Sequence, residues 1–167
     1  KSFAAAAIIK SEIDINLNMI KGSITIASTK AETVTVSLYD DMQLLCNDKR
    51  IKYNKNSKEY IISLDGLSSV IFSYIKNITS KTDTISKDFI SVYSSIIPVV
   101  TNIENAELYI NIPENFQGLA SQFVTYSQNK NIMVFTYNNL PKSIYFAAST
   151  NYIIKKITQK NIDIYTL

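Results

Sequence analysis

The stretch Ala106-Glu107-Leu108-Tyr109-Ile110-Asn111-Ile112-Pro113 decides the fold class. Its apolar residues Ala106, Leu108, Ile110 and Ile112 fall on every second position, a period that an extended strand turns into one continuous face. Glu107, Tyr109 and Asn111 then point the other way. Pro113 closes the run, because proline has no N–H for the next rung of a ladder.

The same alternation recurs on both sides. Ile13, Ile15, Leu17 and Met19 share a parity, with Asp14, Asn16 and Asn18 opposite them as a solvated polar stripe. Lys21-Gly22 reads as a turn into Ser23 to Ser28, and Val34, Val36 and Leu38 mark a third strand, so the opening predicts an antiparallel meander. Met42, Leu44 and Cys46 alternate beyond Asp40-Asp41, which reads as a solvated charged turn. Glu59–Leu64 and Ser69–Ile75 are expected to form a hairpin across Asp65-Gly66-Leu67, where Asp-Gly supplies the positive φ of a tight reversal. Residues 77–87, rich in Ser, Thr, Lys and Asp, read as a surface loop. Asn131–Tyr137, Ile144–Ala148 and Ile162–Tyr165 complete the strands. No segment of helical length carries a 3.6-residue period. The expectation is one all-β domain over residues 1–167, with residues 1–11 an N-terminal extension or edge strand. Roughly ten to thirteen strands should form an antiparallel β-sandwich or a strongly curled sheet.

Composition agrees with this class and narrows the chemistry. Ile alone fills 27 of the 167 positions, and β-branched side chains suit strands. The chain has no histidine, which excludes a Ser-His-Asp triad, a Cys-His pair and an H-E-x-x-H zinc site within it. Its single cysteine, Cys46, cannot form an internal disulfide and is expected to be a buried small hydrophobe. The formal charge of +3 is modest, and the basic run Lys49–Lys55 reads as a solvated turn and edge strand, so no nucleic-acid partner is expected. No apolar run reaches the length of a transmembrane helix. The chain lacks an initiator Met, so both of its ends read as processed or cut, and the compartment is left open with a lean to an exported or cell-envelope setting.

The order of motifs through the middle and end is more specific. Ser91-Val92-Tyr93-Ser94-Ser95-Ile96-Ile97-Pro98 is followed by Ala106–Pro113 with Glu114-Asn115-Phe116, then Leu119-Ala120-Ser121, Phe135-Thr136-Tyr137 and Ile144-Tyr145-Phe146-Ala147-Ala148-Ser149. This series resembles the amino-terminal β domain of the M1 zinc aminopeptidase family, in which a strand ending in Ile-Pro or Val-Pro precedes a polar-aromatic turn and a short Leu-Ala-Ser-like strand. Residues 12–166 are covered, with Lys160–Thr166 resembling the last strand before the catalytic half. The family's zinc ligands, general-base glutamate and Gly-x-Met-Glu-Asn segment have no counterpart here. Asp88 lies nearest the position of the family's substrate-amine acid, but the surrounding sequence does not match and the role is not carried over.

The resemblance therefore implies a non-catalytic scaffold domain, with no catalytic, cofactor or metal residues of its own, that braces and walls a downstream catalytic domain of the same polypeptide. Tyr109 and Tyr165, each out of phase with a neighbouring core set, are the candidate interdomain contacts, and self-association is expected of the isolated piece. A free-standing β-sandwich binding or adhesion module is the alternative, since all-β architecture alone supports both.

Overall fold

The computed structural model describes residues 5–66, 68–79, 81–159 and 162–166. Residues 1–4 of the expected N-terminal extension, Leu67 of the Asp-Gly turn, Lys160, Asn161 and Leu167 lie outside the described residues. Seventeen strands and no helix are present among those described. Several strands, including Thr84–Ile85 and Val99–Val100, are too short for alternation to reveal them.

The largest sheet runs in the order β13 (Thr125–Asn129), β14 (Ile132–Asn138), β11 (Ile103–Asn111), β1 (Ala5–Asp14), β2 (Met19–Ser28), β7 (Ser68–Asn77), β4 (Met42–Leu45). A second sheet orders β10 (Val99–Val100), β3 (Ala31–Ser37), β6 (Glu59–Asp65) and β5 (Ile51–Asn54). A third orders β12 (Gln117–Ala120), β15 (Phe146–Ser149), β9 (Phe89–Val92) and β8 (Thr84–Ile85). β16 (Lys155–Gln159) and β17 (Ile162–Thr166) form a separate hairpin. One hydrophobic cluster draws on the inner faces of all three larger sheets: Ile9, Ile24, Leu108 and Phe135 from the first, Val34 and Ile62 from the second, and Ile90 and Phe146 from the third. The arrangement is a sandwich-like packing of open sheets, neither closed into a barrel nor strongly curled.

The beginning of the chain corrects three expectations. β1 is neither an extension nor an edge: it lies between β11, to which it is parallel, and β2, to which it is antiparallel. Ala5, Ala7, Ile9, Ser11 and Ile13 are its buried parity, and the small alanines disguise it because they lack the β-branching that marks a strand. Asp14 ends this strand, and its Oδ1 accepts from the amides of Asn16 at 3.1 Å and Leu17 at 3.0 Å. With Asn18 at φ 51°, residues 14–18 make a turn where a polar strand face was expected. Gly22, in turn, sits inside β2 and makes no turn.

The expected meander and second hairpin are also redistributed. β3 leaves the first sheet to pair with β6 and β10, while β6 and β7, although consecutive, pair in different sheets. Gly66 has φ 82°, so the Asp-Gly reversal is present, but it carries the chain from one layer to the next. The basic run after Cys46 is partly held down: Arg50 donates to Asp48 from both Nε and Nη2, and these bonds keep the Asp48 carboxyl at about 2. Cys46 is half-buried where full burial was expected, and its Sγ accepts from the Asp48 amide at 3.2 Å.

Candidate functional site

Three places carry more than ordinary packing, and the first is a buried charge cluster at the end of β7. Val70, Phe72, Tyr74 and Lys76 share the inward parity of that strand, so alternation drives the lysine into the interior. The Lys76 side chain is 0% exposed. Its Nζ meets Asp41 Oδ2, Ser94 Oγ at 2.7 Å and Asp83 Oδ2 at 3.5 Å. Asp83, also 0% exposed, accepts from the amides of Tyr93 at 2.8 Å and Ser94 at 3.2 Å and from the Ser94 hydroxyl. Asp41 therefore corrects the solvated-turn reading: its side chain is 13% exposed and paired, while its Oδ1 is buried with no hydrogen-bond partner. Residues 77–87, read as a surface loop, contribute Asp83, the more buried of the two carboxylates. The inward phase of Lys76 was the available sequence signal for this cluster.

One step back along the same strand lies a row across three strands. Ser11 of β1, Gly22 of β2 and Tyr74 of β7 are register partners. The tyrosine ring lies across the glycine, and its hydroxyl bonds Ser11 Oγ at 2.7 Å and donates to the Ile96 carbonyl at 3.0 Å.

The third place is the outer face of the seven-stranded sheet. A shallow concavity of about 830 Å³ there is lined by Ile8, Lys10, Lys21, Leu45, Tyr109 and Ile132, among others. Tyr109 stands beside Lys10 in the β1–β11 register, and its hydroxyl donates to Glu107 Oε2 at 2.6 Å; that bond first, then partial burial, raises the phenol above its ordinary range. Tyr165 is elsewhere. Its ring packs 5.3 Å from Phe123 and 5.6 Å from Tyr126, in a group that includes the buried Phe135. Since Tyr109 is paired with Val134, one residue out of phase with Phe135, the two tyrosines lie on different sides of β14. The structure does not bring them together.

The buried Tyr74 and Tyr137 and the half-buried Tyr126 give an alkaline prediction. Burial, with neighbouring Tyr165 as a smaller cause, pushes Tyr126 up to about 12, and burial raises Tyr74 and Tyr137 further. An acid raised by folding stabilises the fold below its unfolded value, near 10, and that contribution disappears as pH rises through the folded value. Stability should therefore fall between about pH 10 and 12. A tyrosinate absorbance titration run beside circular dichroism should show these three ionising only as strand signal is lost. Ionisation of all 11 tyrosines before unfolding would contradict their burial.

Among the described residues no group of three or more His, Cys, Asp or Glu is placed to hold a metal ion. No protein-family model and no curated protein sequence matches the chain. Solved structures do. An M1 zinc metallopeptidase from Deinococcus radiodurans matches with TM-score 0.47 and 10% identity, over 93% of this chain and 42% of its own. A glutamate-to-alanine mutant of that enzyme, bound to a Tyr-Ser-Ala substrate, matches with TM-score 0.49 and 10% identity, over 93% of this chain and 44% of its own. A two-domain M1 zinc metallopeptidase mutant bound to L-tryptophan matches with TM-score 0.48 and 9% identity, again over 93% and 44%. The chain is thus an all-β protein, without a metal-holding group among its described residues, that is similar to part of these metallopeptidases and spans less than half their length.

Proposed function

We propose that this chain is a non-catalytic β domain that braces and walls the catalytic domain of an M1 aminopeptidase-like metallopeptidase on the same polypeptide. The observation that carries the reading is where the resembling motifs meet. Residues before and within Ser91–Pro98, the Gln117–Ala120 strand and the Phe146–Ser149 strand are far apart in sequence, yet β9 and β12 flank β15 in one sheet. Three of the resembling motifs thus form one structural unit. The missing histidines fit a division of labour in which zinc chemistry belongs to another domain. Tyr109 on the open sheet face and β17 at the end of the chain are the proposed contacts.

The test is hydrogen exchange on the chain with and without the downstream segment of its reading frame. Protection gained at the amides around Tyr109 or in β17 is the expected result. A reading frame with no H-E-x-x-H segment downstream, or no protection at either place, would overturn the reading. The open concavity on the outer sheet face favours the binding module as the second reading, and a stop directly after Leu167 would move it ahead.

A further inference from the structure

We propose that Lys76 and Asp41 are joined by an intramolecular amide bond between Nζ and Cγ, formed by the folded protein itself with Asp83 relaying the proton. Folding brings the two side chains together firmly. β4 pairs with β7 at Met42 and Lys76, and the Asn77 amide donates to the Asp41 carbonyl at 2.9 Å, so Asp41 sits directly beside the lysine. The amine and the carboxyl are held in contact out of water, which turns a bimolecular condensation into an effectively unimolecular one.

The two carboxylates are not equivalent. Asp83 is anchored by three donors and faces Nζ at 3.5 Å, the placement of a group that carries protons. Asp41 is the acylating partner: one oxygen contacts the amine and the other, Oδ1, is buried without a partner. One cation and two anions in a closed interior carry an uncompensated negative charge and a large desolvation cost. Condensation removes one charge of each sign and leaves a neutral amide whose N–H faces the remaining Asp83 carboxylate.

The atoms balance without any added reagent. A proton passes from the Lys76 ammonium to the Asp41 carboxylate through Asp83, leaving a free amine and a carboxylic acid. The Nζ lone pair forms the bond to Asp41 Cγ while Asp83 takes a proton from the nitrogen. Asp83 then returns that proton to an Asp41 oxygen, the C–O bond breaks, and one water leaves. Nothing is oxidised or reduced.

The test is the intact mass of the purified, denatured chain, followed by peptide mapping. The expected mass is that of the linear chain less one water, with the peptides holding Asp41 and Lys76 recovered as a single branched species. Lys76→Arg should restore the full linear mass. Asp41→Asn, which retains an acyl group, should lose one ammonia in place of water, a signature no ion pair produces. Asp83→Asn should slow the condensation at least tenfold. A full linear mass in folded protein overturns the proposal. So does a water loss that maps to Asp65-Gly66, where an aspartyl-glycyl succinimide has the same mass.

Discussion

Replacing Lys76 by Met is expected to lower the unfolding free energy by about 3–5 kcal/mol, the range for removing one partner from a buried ion pair. The methionine fills a similar volume, so packing changes little, while Asp41 and Asp83 would share the interior with nothing to neutralise either. The amide proposed above cannot form in this variant, and the missing cross-link between β4 and β7 adds to the loss. Lys87→Met supplies the contrast, because Lys87 is 88% exposed and only 3.7 Å from an exposed Asp88. A surface pair of that kind contributes at most about 1 kcal/mol. Adding Asp41→Leu to Lys76→Met should recover part of the loss, since the pair is coupled and its single effects do not add. Urea midpoints would report these differences, with a steeper slope in the Lys76 variants, whose denatured chain lacks the cross-link. A Lys76→Met loss below about 1 kcal/mol would mean that the cluster is not closed to water.

That cluster also marks how far alternation carries a reading. Parity assigns a residue to a face, and for Ala106 to Ile112 it did so correctly: Ala106, Leu108, Ile110 and Ile112 are all buried. The same parity carried through Val70-x-Phe72-x-Tyr74-x-Lys76 puts the lysine inside, one residue beyond the expected strand Ser69–Ile75. Parity says nothing about partners. The contact of β1 with β11 joins residues 98 or 99 positions apart, and the separation of β6 from β7 depends on which layer each face must cover. Both follow from a shared core, which no local window contains. Asp41 and Asp83 were illegible for the same reason, since only the neighbouring lysine distinguishes them from solvated turn residues.

Gly22 shows the converse case, a residue visible in the sequence whose role depends on a partner more than fifty positions away. Gly22→Val is expected to destabilise the protein by about 2–6 kcal/mol, combining overpacking of about 1–3 kcal/mol with buried polar groups left unpaired at about 1–3 kcal/mol. A Cβ there would lie 2.3 Å from two Tyr74 ring carbons and 2.5 Å from its oxygen. The ring is fixed at its far end by Ser11 and the Ile96 carbonyl, so moving it strands both. Strand propensity works in the opposite direction: valine is favoured over glycine in a strand by up to about 1 kcal/mol. The two effects separate in a Tyr74→Ala background, itself destabilised, where the space above residue 22 is empty. There Gly22→Val should become neutral or stabilising. A reversal of sign between the two backgrounds, read from thermal or urea unfolding, would establish that β2 keeps a glycine to make room for the tyrosine. An equal loss in both would place the constraint in the backbone of β2 itself.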